Sequence, residues 1–157
     1  MNKQLLLGFL LTILPISELR GGLPVVIGYA LQNSLKIWPL FLLVILLNIL
    51  VIFFIYFFLD FFHEKLLRIK TYRRIIEKPL ERLRKKARKF EKSGRGEFFG
   101  LFLLVAIPLP GTGAWTGCLI SWILGINRKK SILAISLGVL VAGLIILIGS
   151  LGFFSLL

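Results

Sequence analysis

From Ile37 to Leu59 the chain runs apolar, with Asn48 its one strongly polar member. At about 1.5 Å of rise per residue such a run crosses the hydrocarbon core of a bilayer, with room for tilt. A second run of the same kind extends from Ser131 to Gly152. In hydrocarbon every backbone polar group needs an internal partner, so such runs become helices. With 57% apolar residues and a mean hydropathy of +0.91, the chain reads as an all-α integral membrane protein of one domain, 1–157.

Two shorter apolar stretches are broken in the middle, and the breaks align without a gap. Pro15-Ile-Ser-Glu-Leu-Arg-Gly-Gly-Leu-Pro24 opens the first, and Pro108-Leu-Pro-Gly-Thr-Gly-Ala-Trp115 opens the second. Pro15 falls on Pro108, Ile27 on Ile120, Tyr29 on Trp122 and Leu31 on Leu124. Leu5–Leu14 and Phe98–Ile107, the arms before the breaks, are each about half of a bilayer span. A bent helix, two short crossings and a re-entrant hairpin all fit a broken stretch.

Charge narrows the choice. Of twenty Lys and Arg residues, fourteen lie from Lys65 to Arg95, and Arg128, Lys129 and Lys130 form a second cluster. Basic residues beside apolar spans collect on the cytoplasmic side. If each broken stretch crossed once, the two clusters would face opposite sides; if each turns back, they share one. Turning back is therefore expected, and arm length favours re-entry over two crossings. The expected plan is a hairpin over 3–31, a transmembrane helix over 37–59, a basic amphipathic segment over 61–92, a second hairpin over 97–126 and a second transmembrane helix over 131–152. Hairpin plus spanning helix, repeated from the opposite face, makes an inverted repeat, a construction used by secondary transporters.

The segment over 61–92 keeps apolar residues at Phe62, Leu66, Ile69, Ile76, Leu80, Leu83, Ala87 and Phe90, the spacing of one helix face. Pro79 should break it. Its expected role is a cytoplasmic helix resting on anionic lipid head groups. Residues 61–97 and Arg128–Lys130 are thus expected in the cytoplasm of a multi-pass protein of a prokaryotic cell membrane. The net charge of +13 carries no groove-reading motif or aromatic platform, so no nucleic-acid partner is expected. Met1–Leu14 imitates a secretory signal but has no small-residue cleavage site, and its alignment with the second hairpin argues that it belongs to the fold.

Glu18 and Arg20 are the ionised side chains within these stretches, and a charge inside a membrane is a functional hypothesis by default. Gly21, Gly22 and Pro24 suit a tight turn and the first turn of a returning half-helix. Pro108, Pro110, Gly111 and Gly113 suit the same task in the second hairpin, with Thr112 as N-cap of the returning arm and Trp115 beside a pathway. Half-helix N-termini and Arg20 would receive an anionic group. Glu18 would instead carry a proton or a cationic substrate, or simply neutralise Arg20. Cys118 and His63 are solitary, so no disulfide or metal site is expected, and no catalytic constellation, phosphate-binding loop or cofactor motif occurs; an enzyme is not expected. Ala134, Gly138 and Ala142 form a small-residue stripe that admits either a homodimer contact or packing within one chain.

Ser17-Glu-Leu-Arg-Gly-Gly-Leu-Pro24, together with Pro108-Leu-Pro-Gly-Thr-Gly-Ala-Trp115, resembles the small multi-drug export proteins of bacteria and archaea. That family is similar in turn to the DedA/VTT membrane proteins, which share paired re-entrant hairpins. The resemblance implies export of a small molecule, with Glu18 and Arg20 matching the acidic and arginine positions of the first DedA-type hairpin. The second hairpin departs, with no arginine or acid between Pro108 and Ile126. The leading expectation is a small transporter, proton- or ion-coupled, with its site at the two hairpin tips. Its substrate would be a hydrophobic cation or an anionic lipid head group. Alternatives are a DedA-like lipid-phosphate carrier flippase, and a non-transporting scaffold whose basic helix binds anionic lipid or a partner.

Overall fold

The computed structural model describes residues 3–67, 95–109 and 111–156, and these are helices and short connections. The order is α1 (Lys3–Ile13), α2 (Glu18–Gln32), α3 (Ile37–Leu67), α4 (Arg95–Ala106), α5 (Ala114–Leu124) and α6 (Arg128–Ser155). The remainder of the amphipathic segment, 68–94, lies outside the described residues, as does Pro110.

Two helices are long and apolar enough to cross a membrane, over Ile37–Phe62 and Arg128–Ser155. Both exceed the expected 37–59 and 131–152. α6 begins at Arg128 because Asn127 caps it, its Oδ1 accepting from the N–H groups of Lys129 at 3.1 Å and Lys130 at 3.3 Å. α1, α4 and α5 are short apolar helices of eleven or twelve residues.

The two breaks begin at aligned residues, and the second runs three residues longer. α1 and α4 end at Ile13 and Ala106, and their returning partners α2 and α5 start at Glu18 and Ala114. The contacts cross over between halves: α2 packs on α6, α5 packs on α3, and α3 meets α6. The first arms differ. α1 lies chiefly against α2, whereas α4 lies chiefly along α6.

Small residues let these helices approach. A Cβ on Gly22 would run into the Thr12 side chain and backbone of α1, and one on Gly138 would come within 2.7 Å of Val105 Cβ and 2.9 Å of Phe102 O. The Ala134–Gly138–Ala142 stripe is therefore buried inside the chain, against α4 and the core. Leu23, Val26, Ile27, Val44, Ile52, Ile135 and Val139 fill that core, while Leu42, Leu46, Phe53, Phe57, Leu133 and Ile148 point outward, as side chains facing lipid would.

The first hairpin departs from expectation in where it bends. The break falls over 14–17, around Pro15, and Arg20, Gly21, Gly22 and Pro24 all lie within α2. Pro24 is thus an interior helix residue instead of a starting one. Having no N–H, it leaves the carbonyl of Arg20, four residues back, without its usual helical donor.

Candidate functional site

Glu18 sits where α2 begins and is 7% exposed, with φ 44°, a left-handed backbone that a non-glycine residue adopts at a cost of about 1–2 kcal/mol. That turn aims its carboxylate across the molecule at the start of α5. Oε2 accepts the N–H of Ala114 at 3.2 Å and Oε1 accepts the N–H of Trp115 at 3.0 Å. α5 has no side-chain cap of its own, its N-cap position being Gly113. The cap is Glu18, supplied from nearly a hundred residues away: a carboxylate on the positive end of a helix, holding two of its orphan donors.

Gly113 makes this approach possible. A Cβ there would overlap Glu18 Oε2 and stand 2.7 Å from Cδ. Its φ of 165° is extended backbone, so the requirement is one of space.

Arg20 also reaches across. Its Nη2 donates to Thr112 Oγ1 at 2.7 Å and, more weakly, to the carbonyl of Ile107 at 3.4 Å. Thr112, expected to cap α5, instead donates back toward Ile107 O and Leu109 O, each at 3.0 Å. Glu18 and Arg20, for which mutual neutralisation was one expectation, each bond across to the second broken stretch.

The broken end of α1 is satisfied from three directions. Ser17 Oγ donates to Leu11 O at 2.6 Å, Asn48 Nδ2 of α3 to Thr12 O at 3.0 Å, and Trp115 Nε1 of α5 to Ile13 O at 3.2 Å. Asn48 is 1% exposed and its cross-helix bond is the role its solitary polarity suggests. Irregular backbone within an apolar bundle survives because each freed carbonyl meets a donor. Beside these groups lies a small cavity of about 10 Å3, lined by Glu18, Arg20, Asn48, Gly113 and Ala114 among others, room for about one water molecule.

Of the sequence-derived candidates, the structure brings Glu18, Arg20, Thr112, Gly113 and Trp115 into one clasp between the hairpin tips. Gly22 serves α1–α2 packing, and Gly21 continues α2, its N–H bonded to Ser17 O at 2.9 Å. Gly111 takes a left-handed turn, φ 79°, in the connection after Pro108. Pro24 borders two apolar surface cavities with Phe154 and does not touch the clasp. Asp60 was not anticipated. It pairs with Arg128 at 2.7 Å and accepts from Trp122 Nε1 at 3.1 Å. A lone acid among Phe57, Phe58, Phe61 and Phe62, opposite a basic cluster, is the signal that could have found it.

Among the described residues, six helices, two of them of membrane-spanning length, with a charged clasp between two broken stretches, define a helical membrane protein. Residues 18–145 match the family model described as "Putative small multi-drug export protein", and the chain belongs to that family. Neither a curated protein nor a solved structure matches it.

Proposed function

We propose that this protein is a small multi-pass transporter that exports an organic cation, with Glu18 as the carboxylate that binds either the cargo or a coupling proton. The observation that carries the reading is the buried Glu18 carboxylate on the N–H groups of Ala114 and Trp115. α1–α2 and α4–α5 act as hairpins that re-enter from opposite faces, in an inverted repeat whose basic segments, 61–97 and Arg128–Lys130, lie in the cytoplasm. Charge parity and the recurrence of the two breaks support that arrangement.

The clasp supplies a switch. Hydrogen bonds to an ionised carboxylate are roughly twice as strong as neutral ones. A proton or a cation on Glu18 competes with the start of α5 for the same two oxygens, so loading the site loosens the tips. Arg20, engaged with Thr112 on the same tip, is the second contact that must part. Releasing the load restores the cap and recloses the tips. An anionic head group is disfavoured as cargo, because a carboxylate already occupies the positive end of α5. That argues against the lipid-phosphate alternative as well.

The test is flux in proteoliposomes with ethidium as probe cation and an imposed proton gradient. Glu18→Gln, which fits the same space without the charge, is expected to abolish gradient-driven ethidium movement, and Glu18→Asp to retain part of it. Wild-type flux from Glu18→Gln would sink the reading. In that event the scaffold alternative gains if neutralising Arg82 to Lys89 removes lipid binding.

A further inference from the structure

At the opposite end of α5 from the tip clasp, where Tyr56 and Asp60 of α3 meet it, lies a second polar cavity. It measures about 260 Å3, and Tyr56, Asp60, Ser121, Trp122, Gly125 and Arg128 are among the residues that line it. Asp60 spends one oxygen on the Trp122 indole N–H at 3.1 Å and the other on Arg128 at 2.7 Å. The Arg128 guanidinium also lies over the Tyr56 ring, 4.9 Å from its centroid, and the Tyr56 hydroxyl is hydrogen-bonded to Ser121.

A carboxylate fixed by an indole, beside an aromatic face that already holds a guanidinium, is the chemistry that recognises an organic cation. We propose that this cavity is a binding seat for an ammonium or guanidinium carried on an apolar body, and that Arg128 fills it as a tethered competitor. The backbone field beside Asp60 also favours a cation. α5 ends here, at the C-cap Gly125, and brings the negative end of its dipole. The positive end of α6 is covered by the Asn127 side chain. An anion would have to outbid Asp60 for Arg128, whereas a cation finds a carboxylate, a ring face and a helix C-terminus together.

Exposure separates this seat from a structural latch. The side chains of Arg128 and Asp60 are 51% and 43% exposed. A pair so open to solvent holds weakly, and a long arginine side chain can swing outward and keep its charge solvated. Its departure enlarges a cavity that already exists. An apolar body could then rest against the outward face of α3, where Phe57 is 69% exposed. The seat shares its substrate class with the tip site proposed above, but its existence is a matter of binding and does not require flux.

The experiment is calorimetric titration of the detergent-solubilised full chain with benzyltrimethylammonium chloride, in a Glu18→Gln background so that the tip carboxylate does not contribute. Removing the competitor with Arg128→Gln should tighten binding by up to about fivefold, the most an exposed pair withholds. Asp60→Asn should weaken it at least about tenfold, with or without Arg128. Asp60→Glu, which keeps the charge, should restore binding and thereby exclude misfolding as the cause. Unchanged or weaker binding in Arg128→Gln would overturn the competitor, and full binding in Asp60→Asn would overturn the seat. Loss of transport in Glu18→Gln bears on the tip site alone, so the two readings fail separately.

Discussion

A single methyl group tests the clasp. Gly113→Ala adds a Cβ where Glu18 Oε2 now stands, and the alanine's extended backbone is otherwise permissible. The carboxylate is the far end of a flexible side chain, so it will move and the helix will not. Moving forfeits the bonds from Ala114 and Trp115 at 3.2 and 3.0 Å. A hydrogen bond to a charged group contributes about 1.5–3 kcal/mol, so two are worth about 3–6. The water-sized cavity beside Asn48 returns part of that by solvating the displaced oxygens. The expected net loss is about 3 kcal/mol, more than a hundredfold in the folding equilibrium. Reversible unfolding in mixed micelles, followed by circular dichroism, measures it. The decisive comparison repeats the substitution in Glu18→Ala, where the added methyl meets no carboxylate and should cost under about 1 kcal/mol. Gly111→Ala is the contrasting control. Open space surrounds that position, but its φ of 79° should cost about 1 kcal/mol whatever residue 18 is. Equal losses for Gly113→Ala in both backgrounds would refute the argument that Gly113 exists to admit Glu18.

Packing and satisfaction of the broken helix give two further expectations. Gly22→Ala pushes against the Thr12 backbone and side chain and should cost about 1–3 kcal/mol, while Gly149→Ala, with open space around it, should stay within about 0.5, both read from the same unfolding curves. Asn48→Ala leaves the Thr12 carbonyl without its 3.0 Å donor in a buried setting, and should cost about 1–3 kcal/mol. Amide exchange around 8–14 should rise in Asn48→Ala; protection equal to wild type would mean that another donor takes over.

What could be read from the sequence was local. Long apolar runs and small-residue breaks act over a few residues, so α3, most of α6 and the two interruptions were visible in advance, while the cap at Asn127 that starts α6 three residues early was not. The partner of Glu18 was not, because Ala114 and Trp115 meet it across 96 and 97 positions. With the tips seen separately, the start of α5 looked like a vacancy for a guest, when the chain itself supplies the occupant. Pro24 misled in a different way. Local preference starts a helix at proline, but Gly22 and Gly8 let α1 and α2 pack closely enough to carry α2 through it. Asp60 was overlooked because it stands one residue beyond an apolar run, where a charge ordinarily marks only the boundary.

The two hairpins are unequal in a way that bears on how the tips could part. The first brings both charges and a strained residue; the second brings backbone donors, Thr112 and space. Left-handed backbone at Glu18 costs about 1–2 kcal/mol, and such strain persists only where the surroundings over-determine it. Here the over-determination is the pair of bonds to α5, worth more than the strain while the carboxylate is ionised. Once a proton or cation neutralises Glu18, those bonds fall toward ordinary strength and the strain is no longer comfortably outweighed. Under the proposed function, a tip balanced within a few kcal/mol would be the bistable element that coupling requires. Its bias would then be set by the charge on Glu18, whose two bonds end on Ala114 and Trp115 of the second stretch.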